Sequence, residues 1–131
     1  MNIFVMSYFD ETEKVIITQF ENKEQFFSAL KFNPGLLIIK FGAEWCGPCG
    51  LIHDLVYENF KKLPKEALCA DIDIDNNYDL YSFLKSKRMI DGIPAILVYK
   101  KGNDSYVPDD MVVGADNYQI NEFFSRCSDM L

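Results

Sequence analysis

Apolar side chains change their spacing several times along this chain, and each change predicts an element. Residues 15–20 form a short β-branched run that fits a strand. Asn22 then caps a helix, with Gln25 three residues on as its capping-box partner and Phe26, Phe27 and Leu30 on the apolar face. Pro34-Gly35 makes a turn. Residues 36–41 are a nearly continuous apolar run of the kind buried on both faces of a sheet, and Lys40 is its one charged member. From Pro48 the spacing becomes helical, with Leu51, Ile52, Leu55, Val56, Phe60 and Leu63 on one stripe. Pro48 suits a first turn, where its missing N–H costs nothing, and Pro64 marks the end.

Residues 67–74 read as another strand, and Asn76 or Asn77 starts a shorter helix carrying Leu80, Phe83 and Leu84. After Pro94, residues 96–99 form a strand, 101–104 a turn, and 105–113 a final strand that Pro108 confines to a sheet edge. Asp116 or Asn117 caps the last helix, which buries Ile120, Phe123, Phe124 and Cys127. The order β-α-β-α-β-α-β-β-α predicts an α/β fold, a mixed central sheet of about five strands flanked on both faces by about four helices. Residues 1–14 precede this pattern as an N-terminal extension, which either adds an edge strand or wraps the surface. Residues 15–131 form the domain.

Composition narrows the classes. With 131 residues, 49% of them hydrophobic, the chain has enough apolar surface for one core and none for a second. A formal charge of −7 argues against binding a phosphate backbone, so no nucleic acid is expected. No apolar stretch reaches the length that spans a bilayer. The first six residues are apolar but run into Asp10, Glu11 and Glu13 without a basic leader or a small-residue cleavage site. The expectation is a cytoplasmic protein without membrane attachment. In that reducing setting a disulfide is catalytic rather than structural.

The chemistry concentrates in Trp45-Cys46-Gly47-Pro48-Cys49. Two thiols two residues apart at a helix start can close a small disulfide, and the helix N-terminus favours ionisation of the first. A structural zinc site needs four ligands, and this is the one CxxC; His53, a turn beyond Cys49, would make a strained third ligand. No metal is expected, and His53 reads as a helix-surface residue. Cys69 and Cys127 read as small core hydrophobes. The Asp71-Ile72-Asp73-Ile74-Asp75 alternation reads as a strand with one polar face rather than a metal loop, with only Asp71 singled out for chemistry. The aromatic residues fall at core spacing rather than forming a stacking platform.

The WCGPC segment, preceded by Phe41-Gly42-Ala43-Glu44, resembles the active site of the thioredoxin family. The resemblance continues at Gly92-Ile93-Pro94-Ala95, similar to the family's cis-proline loop, and at Gly114-Ala115, similar to a loop beside its substrate groove. It covers the chain from about residue 15 onward and implies a thioredoxin fold. It also implies that Cys46, exposed at the helix start, attacks a target disulfide as the nucleophile. Cys49, more buried, then resolves the mixed disulfide. Trp45, Gly47, Pro48, Ile93, Pro94 and Gly114 would bind the substrate, with the backbone of Ile93 pairing with an extended segment.

The chain also departs from that pattern. Where the family usually has a buried aspartate, six residues before the first cysteine, this chain has Lys40. Where the family often has a lysine on the adjoining strand, it has Asp71. The charges are exchanged, which suggests a Lys40–Asp71 pair tuning the thiols from beneath Cys49. The alternative is a lysine that snorkels to solvent. Gly42 replaces a tryptophan, Gly50 a basic residue and Ala95 a threonine. Asp54 stands where the family's long helix kinks at a proline, which predicts a straighter helix. The last hairpin is longer than usual around 104–110.

The resemblance implies a protein disulfide oxidoreductase that reduces disulfide-containing protein substrates. It would need no cofactor of its own, would be recharged by a thioredoxin-reductase-like flavoprotein, and would act as a monomer in electron transport and cell redox homeostasis. A thioredoxin-fold binding module and a more oxidising oxidase or isomerase-type variant are the alternatives.

Overall fold

The computed structural model describes residues 5–6 and 14–131. Among the described residues six strands form one sheet: β1 (Val5–Met6), β2 (Ile16–Gln19), β3 (Leu36–Gly42), β4 (Ala67–Asp73), β5 (Ala95–Lys100) and β6 (Asp110–Val113). Their order is β1-β2-β4-β3-β5-β6. β4 pairs parallel with both β2 and β3, while β5 pairs antiparallel with β3 and β6. β1 pairs antiparallel with β2, so that part of the extension adds an edge strand. The remainder of residues 1–13, including the acidic Asp10, Glu11 and Glu13, lies outside the described residues.

Alternation along β3 decides what each face holds. Leu37, Ile39 and Phe41 join a core with Phe26 and Leu30 of α1 (Lys23–Lys31) and Leu80 and Leu84 of α4 (Tyr78–Ser86). Leu36 and Ile38 face the other way, onto Val56 and Phe60 of α3 (His53–Lys62) and Ile120, Phe123 and Phe124 of α5 (Asn117–Asp129). Lys40 follows Ile38 in the same phase, so the alternation itself turns it toward the α3 side. On β4, Cys69 and then Asp71 share that phase, and the register sets Lys40 beside Asp71.

Local chemistry explains most element ends. Asn22 Oδ1 accepts the Gln25 N–H at 3.0 Å, while Gln25 Oε1 accepts the N–H of Glu21 at 2.8 Å, a capping box reaching one residue further back. Asp79 of α4 also accepts the Lys23 N–H at the start of α1. Leu63, held extended by the following Pro64, ends α3. Asn77 rather than Asn76 begins α4, but its amide does not cap that helix. It accepts from Phe20 N–H and donates to the Asp73 carbonyl, tying β2 to the end of β4.

Two expected elements come out differently. The single long helix is interrupted at Ile52, giving a short α2 (Gly47–Leu51) followed by α3, so the straighter helix expected from Asp54 is not found. The buried positions Cys49, Ile52, Val56, Phe60 and Leu63 keep one helical stripe across the break, and Leu51, expected on that stripe, lies off it and is 82% exposed. The final strand begins only at Asp110. Asn103 donates to the Val107 carbonyl and to Asp109 and accepts the Ser105 N–H, and Ser105 accepts the Val107 N–H, so residues 103–107 bond locally, and contact with β5 resumes only where the Asp109 N–H donates to the Val98 carbonyl.

Candidate active site

Cys46 is the N-cap of α2, with extended backbone, and its sulfur accepts the Cys49 N–H at 3.2 Å. One turn of helix brings the two Cα atoms to 5.3 Å, and Cys46 and Cys49 are joined as a disulfide. The residues are 8% and 4% exposed, so Cys46 is the more open of the two yet far from the free exposure expected at a helix start. The cis-proline loop covers it, with the Ile93 carbonyl oxygen 4.0 Å from Cys46 Sγ.

The bond between Ile93 and Pro94 is cis. Gly114, at φ +98°, donates its N–H to the Pro94 carbonyl at 2.8 Å, locking the two flanking loops together. That left-handed backbone suits a residue without Cβ. Trp45 is 69% exposed, but its indole N–H is anchored on Asp75 Oδ2 at 2.9 Å. Asp75 is a site residue that the reading of the acidic alternation passed over. The signal was its place in the turn just past the end of β4. No atom within 4 Å would meet a Cβ at Gly47 or Gly50, so both leave open surface around the sulfurs.

Below the disulfide an open cleft of about 480 Å³ runs between α3 and the ends of β3 and β4. Lys40, Cys49, His53 and Asp71 all line it. The Lys40 side chain is only 5% exposed, and its Nζ lies 3.9 Å from Asp71 Oδ1. The cleft reaches that far in because residue 42 is glycine. A Cβ there would stand 3.3 Å from Cys49 Sγ and 3.9 Å from Lys40 Cε. Tyr57, unremarked in the sequence, donates its hydroxyl to Asp71 Oδ2 at 2.8 Å. Burial, followed by the hydrogen bond to Asp71, holds the Tyr57 proton on well above the ordinary phenol range. His53 is exposed and stacks on Tyr57, with ring centroids 4.3 Å apart.

Cys69 and Cys127 lie in the core of the α3/α5 face, where burial pushes each thiol up to about 12. Among the described residues no three His, Cys, Asp or Glu side chains are grouped to hold a metal ion. Nor is any described helix long and apolar enough to cross a membrane.

The thioredoxin sequence profile matches residues 17–126. Thioredoxin-2 of Saccharomyces cerevisiae is 28% identical over 107 residues, covering 82% of this chain and 94% of its own length. Thioredoxin H7 of Arabidopsis thaliana is 31% identical over 114 residues, covering 85% and 81%. The crystal structure of Plasmodium falciparum thioredoxin overlays with a TM-score of 0.71 across 96% of both chains at 23% identity, a likeness of fold. The profile spans most of the chain, and the paired sulfurs stand at the start of α2 beside a cis-proline. This chain therefore belongs to the thioredoxin family and is a thiol–disulfide oxidoreductase.

Proposed function

We propose that Cys46 is the nucleophile and Cys49 the resolving thiol in the reduction of protein disulfides. The Cys46 thiolate attacks one sulfur of a target R–S–S–R′. A Cys46–S–R bond forms, and R′ leaves as a thiolate that takes up a proton. Cys49 then gives up its proton and attacks Cys46, the internal disulfide closes, and R leaves as its thiol. The target gains two electrons and two protons, both drawn from the dithiol. The observation that carries these roles is the asymmetry of the pair. Cys46 is the more open residue and accepts the Cys49 N–H, a donor that stabilises its thiolate, while Cys49 is the more enclosed.

Trp45, Gly47, Pro48, Ile93, Pro94 and Gly114 form the substrate rim in this reading, and Leu51 extends its apolar area. A thioredoxin-reductase-like flavoprotein supplies the electrons, and the protein works as a cytoplasmic monomer in electron transport and redox homeostasis. Residues 15–131 are the working domain and 1–14 its extension.

Lys40 and Asp71 tune the pair. A partly desolvated ammonium near the sulfurs stabilises thiolates, and a stabilised dithiol makes a more oxidising couple. The near-complete burial of Lys40 supports this over a snorkelling lysine. The test is catalysed insulin reduction with dithiothreitol. Wild type is expected to precipitate the insulin chains rapidly, and Cys46→Ser to fall to the uncatalysed rate. Retained turnover in Cys46→Ser would rule out the assigned nucleophile.

A further inference from the structure

Asp71 has two partners among the described residues, and they hold different oxygens. The Tyr57 hydroxyl donates to Oδ2 at 2.8 Å, a full hydrogen bond, while Lys40 Nζ stands 3.9 Å from Oδ1. Direct ammonium–carboxylate hydrogen bonds are about 2.7–2.9 Å long, so a shift of about 1 Å would close the ion pair. Tyr57 is itself fixed, with its ring stacked on His53 at 4.3 Å and tilted against Phe60 at 5.8 Å. Lys40 and Cys49 also flank the same empty Cβ position at Gly42, which lies 3.3 Å from Cys49 Sγ and 3.9 Å from Lys40 Cε.

We propose that Tyr57 is a positioning residue for the dithiol: by holding Asp71 Oδ2 it keeps the carboxylate from closing on Lys40, and so leaves the ammonium's field on the Cys49 sulfur. The inference rests on Lys40 being the tuning group proposed above. A carboxylate in direct contact would cancel more of that field than one held 3.9 Å away. Tyr57 thus sets the redox poise through Asp71 without touching the sulfurs or the substrate.

The experiment is equilibration of the full chain with glutathione, in which protein dithiol plus glutathione disulfide gives protein disulfide plus two glutathione thiols. Wild type, Tyr57→Phe, Asp71→Asn, the double variant and Lys40→Leu are compared. Phe keeps the ring stacked and removes only the donor. Tyr57→Phe is expected to raise the equilibrium constant about three- to tenfold, up to ~30 mV toward the reducing side. Asp71→Asn is expected to lower it, since no carboxylate remains to screen Lys40. On the Asp71→Asn background the Tyr57→Phe change is expected to vanish. A Tyr57→Phe shift that is absent, or equal in both backgrounds, overturns the proposal. So does a rise with Asp71→Asn alone, which decides the matter even if Tyr57→Phe does not fold. Lys40→Leu separates the two levels: an unchanged constant removes the tuning role of Lys40 itself, whereas a raised one keeps it while the Tyr57 arm stands or falls alone.

Discussion

Two pairs of cysteines in one small domain meet opposite surroundings. Cys46 and Cys49 stand at a helix start, bonded to each other, with a backbone N–H on the outer sulfur and an open cleft below. Cys69, on β4, and Cys127, on the inner face of α5, lie among Ile, Leu and Phe side chains, and burial holds their protons on up to about pH 12. The residue type is the same; the difference is access to donors, cations and water. A thiol reacts as its anion, so the interior that raises the second pair also silences it.

That contrast breaks most visibly at Cys49. On the proposed roles, Cys49→Ser leaves the first attack intact and blocks release, so turnover stops and substrate stays linked to Cys46. A mixed-disulfide band on a non-reducing gel checks this, and free substrate with full turnover would contradict it.

Alkaline stability sharpens the other side. The folded state keeps the Cys69 and Cys127 protons up to about 12, while an unfolded thiol releases its own near ~8.5. Their contribution to stability is therefore complete below about 8.5 and is lost as pH rises from there toward 12. The slope is at most about 1.4 kcal/mol per pH unit for each thiol. Urea midpoints of the disulfide form at pH 8 and 10 are expected to drop, and Cys69→Ala to flatten the drop by one thiol's share. An identical drop in Cys69→Ala would remove that residue as the cause.

Cys69→Ser is expected to cost about 1–3 kcal/mol by placing a hydroxyl in an apolar core, with activity per folded molecule unchanged. Loss of activity at full stability would mean that the buried pair takes part in the chemistry. The smallest effect belongs to the surface. Arg126 meets Asp110 through two nitrogens and holds its carboxyl below the usual range, chiefly by hydrogen bonding. Because that pair is largely solvated, Arg126→Ala is expected to cost under about 1 kcal/mol near pH 7. The deficit fades as pH falls through the Asp110 carboxyl's own range, and an acid titration of unfolding checks the sign.

Much of this was legible along the chain. The continuous apolar run at 36–41 announced a strand buried on both faces, Asn22 and Asp116 announced helix starts, and the WCGPC segment announced the dithiol. The break at Ile52 was not legible, because no proline marks it, and Leu51 lies off the stripe of Cys49, Ile52, Val56 and Phe60, where an apolar residue type alone does not betray its exposure. The 105–113 strand was overextended because Asn103, Ser105 and Asp109 offer the backbone local partners whose advantage over a ladder depends on three-dimensional fit.

By itself the sequence determined which residue types could do chemistry and the phase in which they alternate, since side-chain period follows from backbone geometry alone. Only the tertiary structure decided what those residues meet. Strand register set Lys40 beside Asp71, a missing side chain at Gly42 opened the way to Cys49, and α3 brought Tyr57 down onto the carboxylate. Charge and hydrogen bonding act over a few ångströms, and neighbours at that range come from distant parts of the chain.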